Sequence, residues 1–168
     1  MKQILLLCVI VVLAGCSGYS VSAVSRTASP VPAGQIGMAP GGGELADAIS
    51  VELFQRGFDV VESTKIQQLE ITDNNAEINI LRPDNLQKLG EQGIKTILMV
   101  KSIPGYDGKP QSATVRIVRT DTGQMIAAVN WQNGYGGRFF SLADRVMRSD
   151  TQDAAREIAD QLSKKLTQ

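Results

Sequence analysis

The side chains of this chain best equipped for nucleophilic chemistry are two cysteines, Cys8 and Cys16, and no histidine is present to assist them. Without histidine there is no Ser-His-Asp or Cys-His arrangement, no His-ligated zinc and no histidine pH switch. Neither a Gly-x-Ser-x-Gly elbow nor a Ser-x-x-Lys pair follows Cys16. What remains for catalysis is unaided carboxylates of the kind glycosidases use. Asp121 with Glu91, or Asp59 with Glu62, would serve as examples, but no spacing selects either pair. We therefore expect no catalytic residue and no metal site. Cys16 has a context of its own. It ends Leu13-Ala14-Gly15-Cys16, directly after the apolar run 4–13, and Lys2 supplies a basic start. A basic start, a short apolar stretch and small residues at a cut site describe a secretory signal. Ten apolar residues are too few to span a bilayer as a helix.

The four residues Leu13, Ala14, Gly15 and Cys16 resemble the bacterial lipobox. That resemblance implies cleavage before Cys16, a diacylglycerol on its thiol and an acyl group on the new amino terminus. Ala14 and Gly15 leave the backbone open to a peptidase, and a thiolate is nucleophilic enough to take the lipid. Ser17, rather than an acidic residue, follows, which in lipobox proteins implies sorting to the outer membrane with the domain facing the periplasm. Each buried methylene contributes about 0.8 kcal/mol, so several acyl chains hold a protein on a membrane far more firmly than one. Covalent lipid apart, no cofactor is expected. Cleavage would also remove Cys8, leaving Cys16 as the sole cysteine and no internal disulfide.

Loss of Lys2 leaves one more acidic than basic residue in a chain whose 17 of each otherwise balance. Neither nucleic-acid binding nor electrostatic membrane docking is suggested. The segment 131–140 holds Trp131, Tyr135, Phe139 and Phe140, half of the aromatic residues, interleaved with glycines and Arg138. Large rings and an arginine on a glycine-rich backbone suit an interface or a membrane surface. The alternative is that Trp131 ends the inward strand face while Phe139 and Phe140 pin the final helix to the sheet, and both readings hold if Trp131 and Phe140 are inside and Tyr135 outside. Gly41-Gly42-Gly43 lacks the Gly-Lys-Ser/Thr of a nucleotide loop and reads as a hinge. The alternating charges Asp144, Arg145, Arg148, Asp150, Asp153, Arg156, Glu157 and Asp160 read as a solvated helix face.

Three segments then follow from composition: a signal at 1–15, a lipidated cysteine and tether at 16–43, and a periplasmic domain at 44–168. Ser, Ala, Gly and Pro dominate 17–43, whose reach as a flexible chain is roughly 30 Å. Within it, alternation of Val21 and Ala23 with serines allows an edge strand at 19–25. In 44–56, Leu45, Ile49 and Leu53, with Ala46 and Phe54, form the stripe of an amphipathic helix that Gly57 ends. A short strand at 58–61 and a brief helix with Ile66 and Leu69 follow. Pro83 opens a helix carrying Leu86 and Leu89. A strand at 96–103 precedes a hairpin in which Ala113, Val115 and Ile117 face one way and 120–123 turns. Met125, Ala127, Val129 and Trp131 share a face of its second strand. Ala155, Ile158, Ala159, Leu162 and Leu166 stripe the last helix, capped by Asp150 or Thr151. The order predicts an α/β (α+β) domain: a mixed sheet with a central hairpin and helices packed on it.

Three phrases carry a further resemblance: 45–49 leading to Gly57-Phe58-Asp59-Val60-Val61-Glu62, the step from Leu89-Gly90 to 97–100, and 115–125 with Asp121-Thr122-Gly123 at its tip. They resemble the periplasmic domain of the curli-export lipoprotein CsgG, the anticodon-binding-domain-like amino-terminal domain of TolB, penicillin-binding-protein activators and small exopolysaccharide-export lipoproteins. The chain is shorter than the curli channel and lacks strands long enough for a transmembrane barrel. The resemblance implies a non-enzymatic accessory subunit of an envelope export or surface-structure system. Its partners would be the membrane through the anchor, other envelope proteins, and itself as a homo-oligomer. Regulation of cell-wall synthesis is the alternative, with a glycan-acting enzyme or a small-ligand carrier behind it.

Overall fold

The computed structural model describes residues 19–25, 34–68, 79–134 and 147–167. The residues read as a lipobox, Leu13 to Cys16, together with Leu69, Asp144, Arg145 and the aromatic-segment residues Tyr135, Arg138, Phe139 and Phe140, lie outside them. Six strands form one sheet in the order β1-β6-β5-β4-β2-β3. They are β1 (Ser20–Ser25), β2 (Gln35–Met38), β3 (Val60–Val61), β4 (Ile94–Pro104), β5 (Pro110–Arg119) and β6 (Met125–Gln132). β1, β6, β5 and β4 pair antiparallel, and β4, β2 and β3 pair parallel, so the sheet is mixed as expected. Among the described residues, the helices α1 (Gly43–Gln55), α2 (Ser63–Gln68), α3 (Pro83–Glu91) and α4 (Thr151–Leu166) pack on this sheet.

Alternation along the strands separates two apolar layers. On one face Leu98 and Val100, Val115 and Ile117, and Val129 and Trp131 meet Leu45, Ile49 and Leu53 of α1 and Ile158 and Leu162 of α4. On the other, Ile94, Ile97, Met99 and Val118 meet Ile66 of α2 and Leu86 and Leu89 of α3. Gly37 sits where this second layer is tightest. A Cβ there would lie 2.8 Å from Ile97 Cδ1, 2.9 Å from Ile94 Cγ2 and 3.0 Å from Ile66 Cδ1, so a larger residue would force these isoleucine side chains to shift. Asp150 caps α4 by accepting from the Asp153 amide at 2.9 Å.

Three expectations are corrected. The body of the domain begins before residue 44, because β2 pairs with β4 inside the stretch read as tether, and its isolated Ile36 and Met38 are buried core residues. Phe54 lies on the outer side of α1, 70% exposed, since Leu53 already occupies the core position. Met125 leaves the face shared by Ala127, Val129 and Trp131 because the β5–β6 register shifts between Ile117 and Val118.

Candidate functional site: the β1 end of the sheet

Ser17, Gly18 and Tyr19 alone separate Cys16 from β1, which enters the sheet at Ser20. Four residue steps reach at most about 14 Å, so a lipid on Cys16 would hold that end of the sheet close to its membrane. The same row contains Gln132 opposite Ser20, Ser112 opposite Gln132, and Ile103 opposite Ser112. Beyond it lie the β4–β5 turn with Tyr106 and the β6 exit at Asn133 and Gly134.

A buried polar clasp ties these pieces together. Arg148, its side chain 1% exposed, donates from Nε to Asp107 Oδ2 at 3.0 Å and from Nη1 to Gln111 Oε1 at 2.5 Å. Its guanidinium lies 5.2 Å from the Tyr106 ring centroid, within cation–π range. Gly105 makes room for it, since a Cβ there would stand 2.2 Å from Arg148 Nη2 and 2.9 Å from the Lys109 carbonyl. Lys109 Nζ donates to the Arg148 carbonyl at 2.8 Å. Asn133 completes the clasp. Its side-chain nitrogen donates to the carbonyls of Pro110 and Ser149, at 2.7 and 2.9 Å, and its oxygen accepts from the amides of Gly134 and Ser149. Asn133 thus bridges the end of β6 to Ser149, just ahead of α4.

Of the sequence-predicted contact residues, the structure places Trp131 in the core, 1% exposed, with Nε1 donating to Glu157 Oε2 at 2.6 Å. Its role is to anchor β6 to α4 rather than to present a ring outward. Burial holds the Glu157 carboxyl above its ordinary value, against the lowering effect of the Trp131 bond. Arg148, read as part of a solvated face, is instead the centre of the clasp. Asp153, Arg156 and Asp160 do stay on the outside of α4, where Arg56 bridges Asp160 at 2.6 Å and Glu52 at 2.5 Å. Asn133 and Gln111 carried no sequence signal, because single amides outside a motif announce nothing until their partners are known.

At the opposite end of the sheet a cavity of about 790 Å³ opens between α3 and the β5–β6 turn, lined by Leu81, Leu86, Glu91, Lys95, Asp121 and neighbouring residues. Asp121 and Glu91 thus share a cavity, whereas Asp59 accepts from Gln35 and Glu62 from Ser50 elsewhere. Hydrogen bonding and ion pairing with Arg119, at 2.6 Å, lower the Asp121 carboxyl to about 2, so it stays ionised and is no general acid near neutrality. Among the described residues no cluster of three or more acidic, cysteine or histidine residues is placed to hold a metal, and no helix is long and apolar enough to cross a membrane.

No protein-family model matches the chain, and no curated protein is similar to it at a significant level. Among solved structures, it is similar to the PelC dodecamer of Paraburkholderia phytofirmans at 15% identity, over 84% of this chain and 97% of that one, with a TM-score of 0.45. A single-residue variant of that dodecamer gives 15% identity, 87% and 98% coverage and a TM-score of 0.49. Lipoprotein GNA1162 of Neisseria meningitidis gives 16% identity, 77% and 96% coverage and a TM-score of 0.47. The sheet order and the helices on both its faces by themselves make this domain α/β.

Proposed function

We propose that the protein is a non-enzymatic envelope lipoprotein, anchored in the outer membrane through lipid on Cys16 and acting in the periplasm as an accessory or assembly subunit of an export or surface-structure system. The observation that carries the reading is the entry of β1 into the sheet four positions after Cys16. A domain so attached is held at the bilayer surface with one end fixed towards it, which suits a scaffold for other envelope proteins. Self-association is part of the proposal, since α1 leaves Val51 and Phe54 on its outer side. The sequence resemblance to CsgG and the small exopolysaccharide-export lipoproteins points in the same direction, whereas that to the penicillin-binding-protein activators supports the alternative of cell-wall regulation.

Labelled palmitate should enter the wild-type chain and not Cys16→Ser, and an affinity pull-down of the lipidated protein from its envelope should recover export or surface-assembly components. Labelling independent of Cys16, or recovery of cell-wall synthases alone, would overturn the export reading. Light scattering on the lipidated protein in detergent should give a mass above one chain. A second reading, small-ligand carriage, is favoured by the cavity at α3, whose apolar Leu81 and Leu86 lie beside Glu91 and Lys95. Mass spectrometry of a solvent extract from purified protein should find a stoichiometric ligand if that reading holds, and none if it fails.

A further inference from the structure

The helices do not cover the whole sheet. α2 and α3 pack over β2, β4 and the far end of β5, and the remainder of that face, across β1, β6, β5 and the near end of β4, carries none of the described helices, and most of its side chains are exposed. Register assigns its residues. One rung is Ser20, Gln132, Ser112 and Ile103, the next is Ser22, Asn130, Thr114 and Lys101, and the third is Val24, Ala128 and Arg116, ending on buried Met99. No aspartate or glutamate occupies any of these positions. Lys101 and Arg116 are exposed, and neither has an ion-pair partner among the described residues. Thr114 donates to Asn130 Oδ1 at 3.1 Å, which fixes the amide and leaves its nitrogen with no hydrogen bond to the described residues. A shallow groove of about 220 Å³ runs over Ser20, Ser22, Ser112, Thr114, Asn130 and Gln132.

We infer that this bare half-face binds an acidic, hydroxyl-rich polysaccharide chain. Serine, threonine, asparagine and glutamine both donate and accept, which is what sugar hydroxyls require. Arginine and lysine on an acid-free surface supply the charge-assisted bonds that sugar carboxylates take. Rungs repeat such groups at the inter-strand spacing of about 4.8 Å, comparable to the length of one sugar ring, so a polymer laid across the strands meets a partner on each. A second protein copy fits less well, because the two large exposed apolar side chains, Val24 at 66% and Ile103 at 58%, occupy opposite corners and form no apolar centre. A bilayer fits less well for the same reason, and because two cations are too few for a polybasic patch. This assignment rests on the sheet face alone, so it stands or falls separately from lipidation of Cys16.

The test uses the full lipidated chain in neutral detergent, with a 1,4-linked oligogalacturonate and its methyl ester as probes. Calorimetry should show binding of the acid form that weakens with salt, and binding of the ester weaker by about tenfold or more. Lys101→Gln with Arg116→Gln should weaken the acid form by about tenfold or more without changing the thermal midpoint, and Asn130→Ala should weaken both probes severalfold. Absence of binding, equal binding of the ester, or binding that survives the double substitution would overturn the proposal. So would a change in oligomeric mass on that substitution, which would assign the face to a second copy. Tighter Arg116-dependent binding to phosphatidylglycerol vesicles than to the oligogalacturonate would assign it to lipid.

Discussion

The two faces of the β1–β6–β5 region are written by alternate residues of the same three strands, yet they are built for different work. Under α1 and α4 the alternating positions are Val129 and Trp131, and Val115 and Ile117, which the helices bury, with Val21 and Ala23 half-buried at the β1 edge. One residue further along, the same strands present serine, asparagine, threonine and arginine to open space. A strand used this way separates stability from contact, because changes on one side alter packing and changes on the other alter only what the surface meets.

Trp131→Ala should break the covered face most severely. It removes the largest buried side chain and leaves Glu157 without its donor, so a loss of about 3–5 kcal/mol is expected from the denaturant midpoint. Arg148→Met should cost about 3 kcal/mol, since Asp107 and Gln111 lose a buried partner. The accompanying sign would be faster proteolysis near the β4–β5 turn. Thr96→Val tests the covered face in the favourable direction. The Thr96 hydroxyl is buried with no hydrogen-bond partner, and its replacement by a methyl should raise stability by about 1 kcal/mol.

Glu157→Gln should give a smaller gain with a distinctive pH dependence. A carboxyl whose folded pKa is raised binds its proton more tightly in the folded state, so the fold loses stability as pH rises from the ordinary 4.5 through the raised value. The amide keeps an acceptor for Trp131 and removes that loss. Thermal midpoints of variant and wild type should therefore differ least below pH 4.5 and most at neutrality. On the bare face, Asn130→Ala should change stability by less than about 0.5 kcal/mol, measured by the same denaturation. A larger loss would mean that the face is structural after all.

How much of this was legible in the sequence follows the length of each pattern. The stripes of α1 and α4 and the alternation of β5 and β6 run over eight residues or more, and those elements stand where expected. β2 is not legible in this way, because its four residues, Gly37 among them, are embedded in Pro, Gly and Ala and show no period, and its burial is decided by β4 and β3 on either side. The clasp was hidden for a related reason. Arg148 sits in a run of alternating charge, and only the hairpin folded onto it distinguishes it from solvated neighbours such as Arg156. The acid-free half-face was present in the strand residues all along. It could be recognised only when register placed Lys101, Thr114, Asn130 and Ser22 in one row.

The antiparallel ladder between β1 and β6 has a mechanical consequence. A pull from a membrane lipid on Cys16 would enter at Ser20 and act along the axis of β1, so that six paired positions, from Ser20 opposite Gln132 to Ser25 opposite Ala127, carry the load side by side. Loaded in shear, such a ladder must lose many bonds at once, whereas peeling from the other end would open them one at a time. The orientation of this edge strand would therefore let a domain ride out tension between its membrane and whatever it grips.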